Sequence, residues 1–119
     1  MNPGIIAVNR YFDGETLHPG PFRVEVADGV IAAIDPGPAP DAGEGYDLML
    51  PPLVESHSHL FLDGDELEAD KRKAHLGKGF DAWLATGKRN LERCRELGIG
   101  VIRDAGDAYG VNCRLRDFA

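Results

Sequence analysis

Two short apolar runs with an amphipathic helical segment between them constrain the fold of this chain more than any other feature. Apolar side chains in residues 80–97 recur at three-, four- and seven-residue steps, which is a helical period. Residues 48–54 before this segment and 99–102 after it are mostly apolar, as strands covered on both faces are. The order strand, helix, strand predicts one right-handed βαβ unit. We expect the apolar stripe of the helix in the core: Phe80, Trp83, Leu84, Leu91, Cys94 and Leu97.

The first part of the chain, to about residue 48, is rich in strand signals. Apolar and charged residues alternate over residues 22–26, Asp28 and Gly29 form a two-residue turn, and residues 30–34 are apolar again. This pattern predicts a β-hairpin with a type I′ turn. Residues 4–8 and 46–50 are further predicted strands, and the Pro-, Gly- and Asp-rich residues 35–45 predict a loop.

His57 and His59 lie one residue apart, directly after an apolar run. In a strand, side chains alternate between faces, so both imidazoles point one way and Ser58 points the other. Two imidazoles on one face can reach a single cation such as zinc. The alternative is two hydrogen-bonded or solvated residues at a strand end. Of the other histidines, His18 is expected in a surface loop and His75 exposed in a charged stretch.

Composition excludes several classes of function. The chain has 119 residues, 43% of them hydrophobic, which suffices for a small domain with a core. A net charge of −7 argues against nucleic-acid binding. No apolar run approaches the roughly 20 residues that span a bilayer, and no signal peptide is evident. With two cysteines and no disulfide framework, the sequence predicts a soluble cytoplasmic protein without nucleic-acid or membrane partners.

Two segments together resemble the N-terminal part of the metal-dependent amidohydrolase superfamily. Residues 51–59, PPLVESHSH, are similar to the family's Pro-Gly-Leu-Ile/Val-Asp-x-His-x-His segment. Residues 98–107, GIGVIRDAGD, resemble the start of the family's second barrel strand, and the Asp28-Gly29 hairpin resembles an opening hairpin of the family. Pro52 and Glu55 depart from the pattern, where the family has glycine and aspartate.

The resemblance implies a fold and an activity. The fold class it implies is α/β: strands of a small β-sandwich domain over residues 1–48, then the first βαβ unit of a (β/α)8 TIM barrel over residues 49–119. The implied activity is metal-dependent hydrolysis of a small-molecule substrate at carbon–nitrogen bonds other than peptide bonds, often in cyclic amides. His57 and His59 would be ligands of Zn²⁺ or another divalent metal. The further ligands and the catalytic aspartate would come from later strands, so no catalytic residue is expected within these 119 residues.

Chain length limits the expected activity. A complete barrel takes about 250 residues, and two imidazoles alone hold zinc weakly. We therefore expect an N-terminal fragment or one half of a split enzyme, inactive by itself, with a second chain as a candidate partner that completes the barrel. The alternative is a catalytically inactive remnant or interaction module without the complete metal site.

Five carboxylates near the histidines have open roles. Asp104, at the end of the second predicted strand, either positions loops over the site or pairs with a neighbour. Glu55 either braces a neighbouring group or is a structural carboxylate. Asp63, Asp65 and Glu66 either contact substrate or form part of a solvated acidic face.

Overall fold

The computed structural model describes residues 4–41 and 44–119. These residues form two compact units, and the division falls between Pro51 and Pro52. Part of the predicted loop over residues 35–45, namely residues 42 and 43, lies outside the described residues.

The first unit is a three-stranded antiparallel sheet in the order β1-β2-β3. The strands are β1 (Gly4–Phe12), β2 (Leu17–Ala27) and β3 (Val30–Pro36). Asp28 and Gly29, between β2 and β3, have φ angles of 51° and 80°. A type I′ turn requires a positive φ at both central residues, so the predicted hairpin is confirmed.

Val8 and Val24 are the buried side chains of this sheet. Tyr46 and Met49 form isolated parallel bridges with β1, at Val8 and Tyr11. The prediction of a continuous strand over residues 46–50 is therefore wrong, since only Tyr46 and Met49 of this segment form bridges to the sheet.

The second unit contains two strands that pair in parallel and three helices. Its elements are β4 (Leu53–Ser58), α1 (Ala69–Leu76), α2 (Phe80–Glu96), β5 (Ile99–Asp104) and α3 (Val111–Arg116). Gly98 follows α2 with a φ of 79°, the left-handed conformation that glycine adopts at a helix end. None of the described helices combines the length and the apolar character needed to cross a bilayer.

The core of the second unit lies where α2 and α3 meet the chain that leaves β4. Its buried members are Leu60, Trp83, Val111 and Leu115, which confirms Trp83 as a core residue. Helix α3 has no counterpart in the sequence predictions. Asp107 holds its start, because the carboxylate accepts hydrogen bonds from the backbone N–H groups of Tyr109, Val111 and Asn112.

The predicted TIM-barrel fragment is wrong. Residues 4–41 and 44–119 form two separate small sheets, one antiparallel with three strands and one parallel with two, beside three helices. The expected β-sandwich is a single sheet in the described chain. A barrel forms only when the tilt and stagger of about eight strands close the sheet into a ring. One parallel pair of strands is too few to close such a ring.

Candidate metal centre

His57 and His59 lie at the C-terminal end of β4, and both are exposed. Their ring centres are 5.4 Å apart and the ring planes are inclined by 80°. The hydroxyl oxygen of Ser58, between them, is buried and has no hydrogen-bond partner within residues 4–41 and 44–119. Exposed imidazoles on either side of a buried hydroxyl agree with the alternation of a strand.

A hydrogen bond fixes which nitrogen of His59 carries the proton. Nδ1 lies 2.8 Å from the backbone carbonyl oxygen of Gly106. A carbonyl oxygen only accepts, so Nδ1 is the donor and the neutral ring keeps its lone pair on Nε2. The His59 ring also lies edge to face with Phe61, at 6.0 Å between centres, and Phe61 packs on Trp83 at 4.3 Å. One imidazole nitrogen is thus free to bind a ligand while the other side of the ring is held by the core.

Five consecutive backbone carbonyls around His59 all accept a hydrogen bond. The acceptors are residues 58–62, and the donors are the N–H groups of Ala105 and Leu62, the side-chain amide of Asn90 for two of the carbonyls, and His75 Nε2. Of these donors, Ala105 directly follows β5, His75 belongs to α1 and Asn90 belongs to α2. Because no carbonyl of this segment depends on water, the segment has a defined conformation.

Two carboxylates hold the backbone beside the histidines. Glu55 accepts a hydrogen bond from the backbone N–H of His57 at 2.9 Å. Asp104 accepts one from the N–H of Leu60 at 3.1 Å and one from the N–H of Gly106 at 2.8 Å. Glu55 therefore braces the backbone beside it, and Asp104 pairs with neighbouring backbone N–H groups.

The donor set fits a divalent metal ion in type and separation. Zn–N bonds of about 2.0–2.1 Å at a tetrahedral angle place two imidazole centres about 5 Å apart, close to the 5.4 Å between His57 and His59. A protein zinc site usually has three or four protein ligands. In the described chain no group of three or more His, Cys, Asp or Glu side chains is placed to hold a metal. His57 and His59 would therefore supply two of the ligands that such a site needs.

The acidic residues after the turn pair with basic side chains. Asp63 lies 3.4 Å from Arg89, and Asp65 forms an ion pair of 2.5 Å with Arg93. This pair with Asp65 raises the pKa of the Arg93 guanidinium above its ordinary value. Both pairs tie the segment to the exposed face of α2, which favours the structural role of these carboxylates over substrate contact.

Two residues that shape the site were not predicted from the sequence, and a third was predicted in the wrong environment. Asn90 and Gly106 were not singled out, although Asn90 lies seven residues after Trp83, on the buried side of α2. An amide there must find hydrogen-bond partners, and that was the available signal. His75 was expected to be exposed, which is wrong: it is buried, and its backbone carbonyl accepts a hydrogen bond from Trp83 Nε1.

Comparison with known proteins gives a similarity of structure. No family model and no curated protein matches the sequence. Among solved structures, the chain is similar to a Xaa-Pro dipeptidase crystallised with methionine in its active site. The sequences are 17% identical, the TM-score is 0.66, and the match covers 98% of this chain and 29% of the dipeptidase chain.

At this identity the likeness concerns the fold. It extends over nearly the whole of the present chain, which spans less than a third of the dipeptidase. The amidohydrolase motifs find no matching family model. The comparisons therefore establish that the chain shares its fold with part of a Xaa-Pro dipeptidase, and the family assignment stays a prediction from the motifs.

Proposed function

We propose that this chain carries the two-histidine part of the metal centre of a hydrolase that cleaves carbon–nitrogen bonds. The observation that supports the proposal most directly is the hydrogen bond from His59 Nδ1 to Gly106, which leaves Nε2 free. His57 supplies a second exposed imidazole at 5.4 Å between ring centres. The similarity of the surrounding segment to a metal-dependent hydrolase motif adds to this, as does the shared fold with a dipeptidase.

In the proposed site each residue of the chain has a defined task. His57 and His59 bind a divalent metal, with Zn²⁺ preferred because neutral imidazole suits it. Such a metal, when bound, supplies a water of lowered pKa and polarises the substrate carbonyl. Gly106 orients the ring of His59, and Glu55 holds the backbone at His57. The remaining ligands and the general-base aspartate lie outside the 119 residues, in a further segment or in a second chain.

The substrate in this proposal is an amide. The resemblance favours carbon–nitrogen bonds other than peptide bonds, often in cyclic amides, whereas the dipeptidase of similar fold is named for a Xaa-Pro substrate. Both substrates present a carbonyl carbon bonded to nitrogen, which is the group that metal-activated water attacks. A substrate panel should therefore contain cyclic amides, linear N-acyl amides and Xaa-Pro dipeptides.

Metal binding tests the first step of the proposal. Isothermal titration of the purified chain with Zn²⁺ at pH 7.5 should give one site per chain. His57→Ala and His59→Ala should each abolish the binding heat, because a single imidazole remains. His18→Ala is the matched control, since His18 belongs to the sheet of the first unit and pairs with Asp13. Unchanged binding in both His57→Ala and His59→Ala would refute the proposed site.

Activity tests the second step. We expect the isolated chain with Zn²⁺ to leave the whole substrate panel intact. Mixing it with the product of an adjacent reading frame that supplies further histidines and an aspartate should restore hydrolysis, and His59→Ala should remove it. Hydrolysis by the isolated chain at ordinary enzyme rates would contradict the proposal that ligands are missing.

A second candidate function, an inactive interaction module, is favoured by a different observation. Apolar side chains of the parallel strand pair are exposed: Leu53 by 52%, Val54 by 67% and Val101 by 53%. Exposed apolar side chains grouped on one small sheet are typical of surfaces that contact another protein. Size-exclusion chromatography with and without the adjacent product, combined with the activity assay, distinguishes the candidates. A complex that stays inactive favours the interaction module, and a complex with restored hydrolysis favours the hydrolase.

A further inference from the structure

The carboxylate of Asp104 joins the two chain segments that meet at His59. One oxygen accepts the N–H of Leu60, the residue directly after His59, at 3.1 Å. The other oxygen accepts the N–H of Gly106 at 2.8 Å. Asp104 ends β5 and His59 follows β4, so a single side chain links the ends of the two parallel strands.

Gly106 passes this link on to the imidazole ring. Its N–H is held by Asp104, and its carbonyl oxygen accepts the hydrogen bond from His59 Nδ1 at 2.8 Å. Gly106 has a φ of 97°, a conformation that residues with a side chain rarely adopt. The N–H of Ala105 donates to the carbonyl of Ser58 at 2.7 Å and holds the same turn against β4. The direction of the Gly106 carbonyl therefore depends on Asp104.

We propose that Asp104 is a positioning residue that fixes His59 in the tautomer with the proton on Nδ1 and directs Nε2 toward the metal position. The significance for metal binding rests on the function proposed above, whereas the control of the tautomer does not. A neutral imidazole without a fixed partner exchanges its proton between the two nitrogens, and a protonated Nε2 cannot bind a metal. Holding the proton on Nδ1 keeps the ligand nitrogen available before the metal arrives.

The buried His75 provides an internal reference of opposite tautomer. Its Nε2 lies 2.8 Å from the carbonyl oxygen of Phe61, so its proton is on Nε2. His75 belongs to α1 and makes this contact without Asp104. A change that alters His59 and leaves His75 unchanged is thus specific to the Asp104 link and not a sign of unfolding.

The test reads the tautomers directly by NMR. In the ¹⁵N-labelled full chain at pH 8.5, long-range ¹H–¹⁵N correlations should assign the proton to Nδ1 in His59 and to Nε2 in His75. In Asp104→Ala the His59 signals should shift toward a mixture of tautomers while those of His75 stay fixed. Asp104→Asn, which keeps one acceptor oxygen, should give a smaller change and serves as the second variant if the alanine variant does not fold. Asp63→Ala is the matched control, because this carboxylate pairs with Arg89 of α2 and accepts the N–H of Asp65, not those of Leu60 and Gly106.

Zinc titration of the same variants separates this inference from the proposed function. Asp104→Ala should weaken Zn²⁺ binding by about 10- to 100-fold, the usual effect of removing an outer-shell partner. Tautomer control without any zinc binding in the wild-type chain, even at a large excess of Zn²⁺ that would reveal a weak two-ligand site, would overturn the proposed function and support the positioning role. Zinc binding with His59 tautomer and affinity unchanged in both Asp104 variants would overturn the positioning role and sustain the metal site.

Discussion

Replacing Asn90 by aspartate exchanges a double hydrogen-bond donor for a carboxylate of nearly the same size. The side-chain nitrogen of Asn90 donates to the backbone carbonyls of Leu60 and Leu62, both at 2.9 Å and partly buried. These two bonds attach the segment around His59 to α2. The aspartate would place negatively charged oxygens against two carbonyl oxygens that also carry partial negative charge.

The expected loss of stability follows from the two bonds. Each hydrogen bond contributes about 1 kcal/mol net, so Asn90→Ala should lower the free energy of unfolding by about 2 kcal/mol. In Asn90→Asp the carboxylate has no donor at this position, which adds about 1–3 kcal/mol at neutral pH.

The same contacts should raise the pKa of the new carboxyl above its ordinary value, because the neutral acid can donate to one of the carbonyls. For this acid the penalty is complete above the raised pKa and shrinks as the pH falls through it.

Urea denaturation followed by tryptophan fluorescence measures this effect. Trp83 is the single tryptophan of the chain and is 5% exposed in the core that Leu60 joins. Unfolding free energies of both variants should be compared at pH 7.5 and pH 4.5. The gap between Asn90→Asp and Asn90→Ala should be wide at the higher pH and narrow at the lower. Equal stabilities of the two variants at pH 7.5 would show that Asn90 does not donate to both carbonyls.

Two further predictions concern the packing of α3. Asp107→Ala should destabilise the chain by about 1–2 kcal/mol through loss of the capping contacts at the start of α3. Burial raises the pKa of Asp107, but backbone hydrogen bonds outweigh this effect and hold the pKa below the ordinary 3.8. The stability that this carboxylate contributes is therefore complete above pH 3.8 and is lost as the pH falls through the lowered pKa. The urea midpoint should therefore depend less on acid pH in the variant than in the wild-type chain, and identical pH profiles would contradict the assignment. Gly87→Ala should destabilise the wild-type chain by about 1–3 kcal/mol, since its Cβ would lie 2.5 Å from a methyl carbon of the buried Leu115. In a Leu115→Ala background the same substitution should stabilise by about 0.5–1 kcal/mol, because alanine is the better helix residue; a loss of stability in both backgrounds, measured by urea denaturation, would contradict the contact.

Local patterns in the sequence predicted the local elements well. The alternation up to Asp28-Gly29 gave the hairpin, and the stripe containing Trp83 gave α2, with bounds close to the observed Phe80–Glu96. These features depend on residues close in sequence, where periodicity and turn conformation act directly.

The candidate site was predicted in part. The sequence by itself predicted that His57 and His59 lie at a strand end and on one face of that strand. It did not reveal the donors that shape the segment between them and α2, because Asn90 and Gly106 reach the site only through tertiary contacts. The burial of His75 was missed for the same reason, since its charged neighbours in sequence suggested a solvated stretch.

The sequence by itself determined the β2–β3 hairpin, helix α2 and which two imidazoles lie together. Tertiary structure decided the larger arrangement: a three-stranded and a two-stranded sheet in place of the predicted barrel fragment. It also decided the tautomer of His59, through Asp104 and the Gly106 carbonyl. Sheet closure and the direction of a single carbonyl both depend on contacts between distant residues, and no local period in a sequence encodes such contacts.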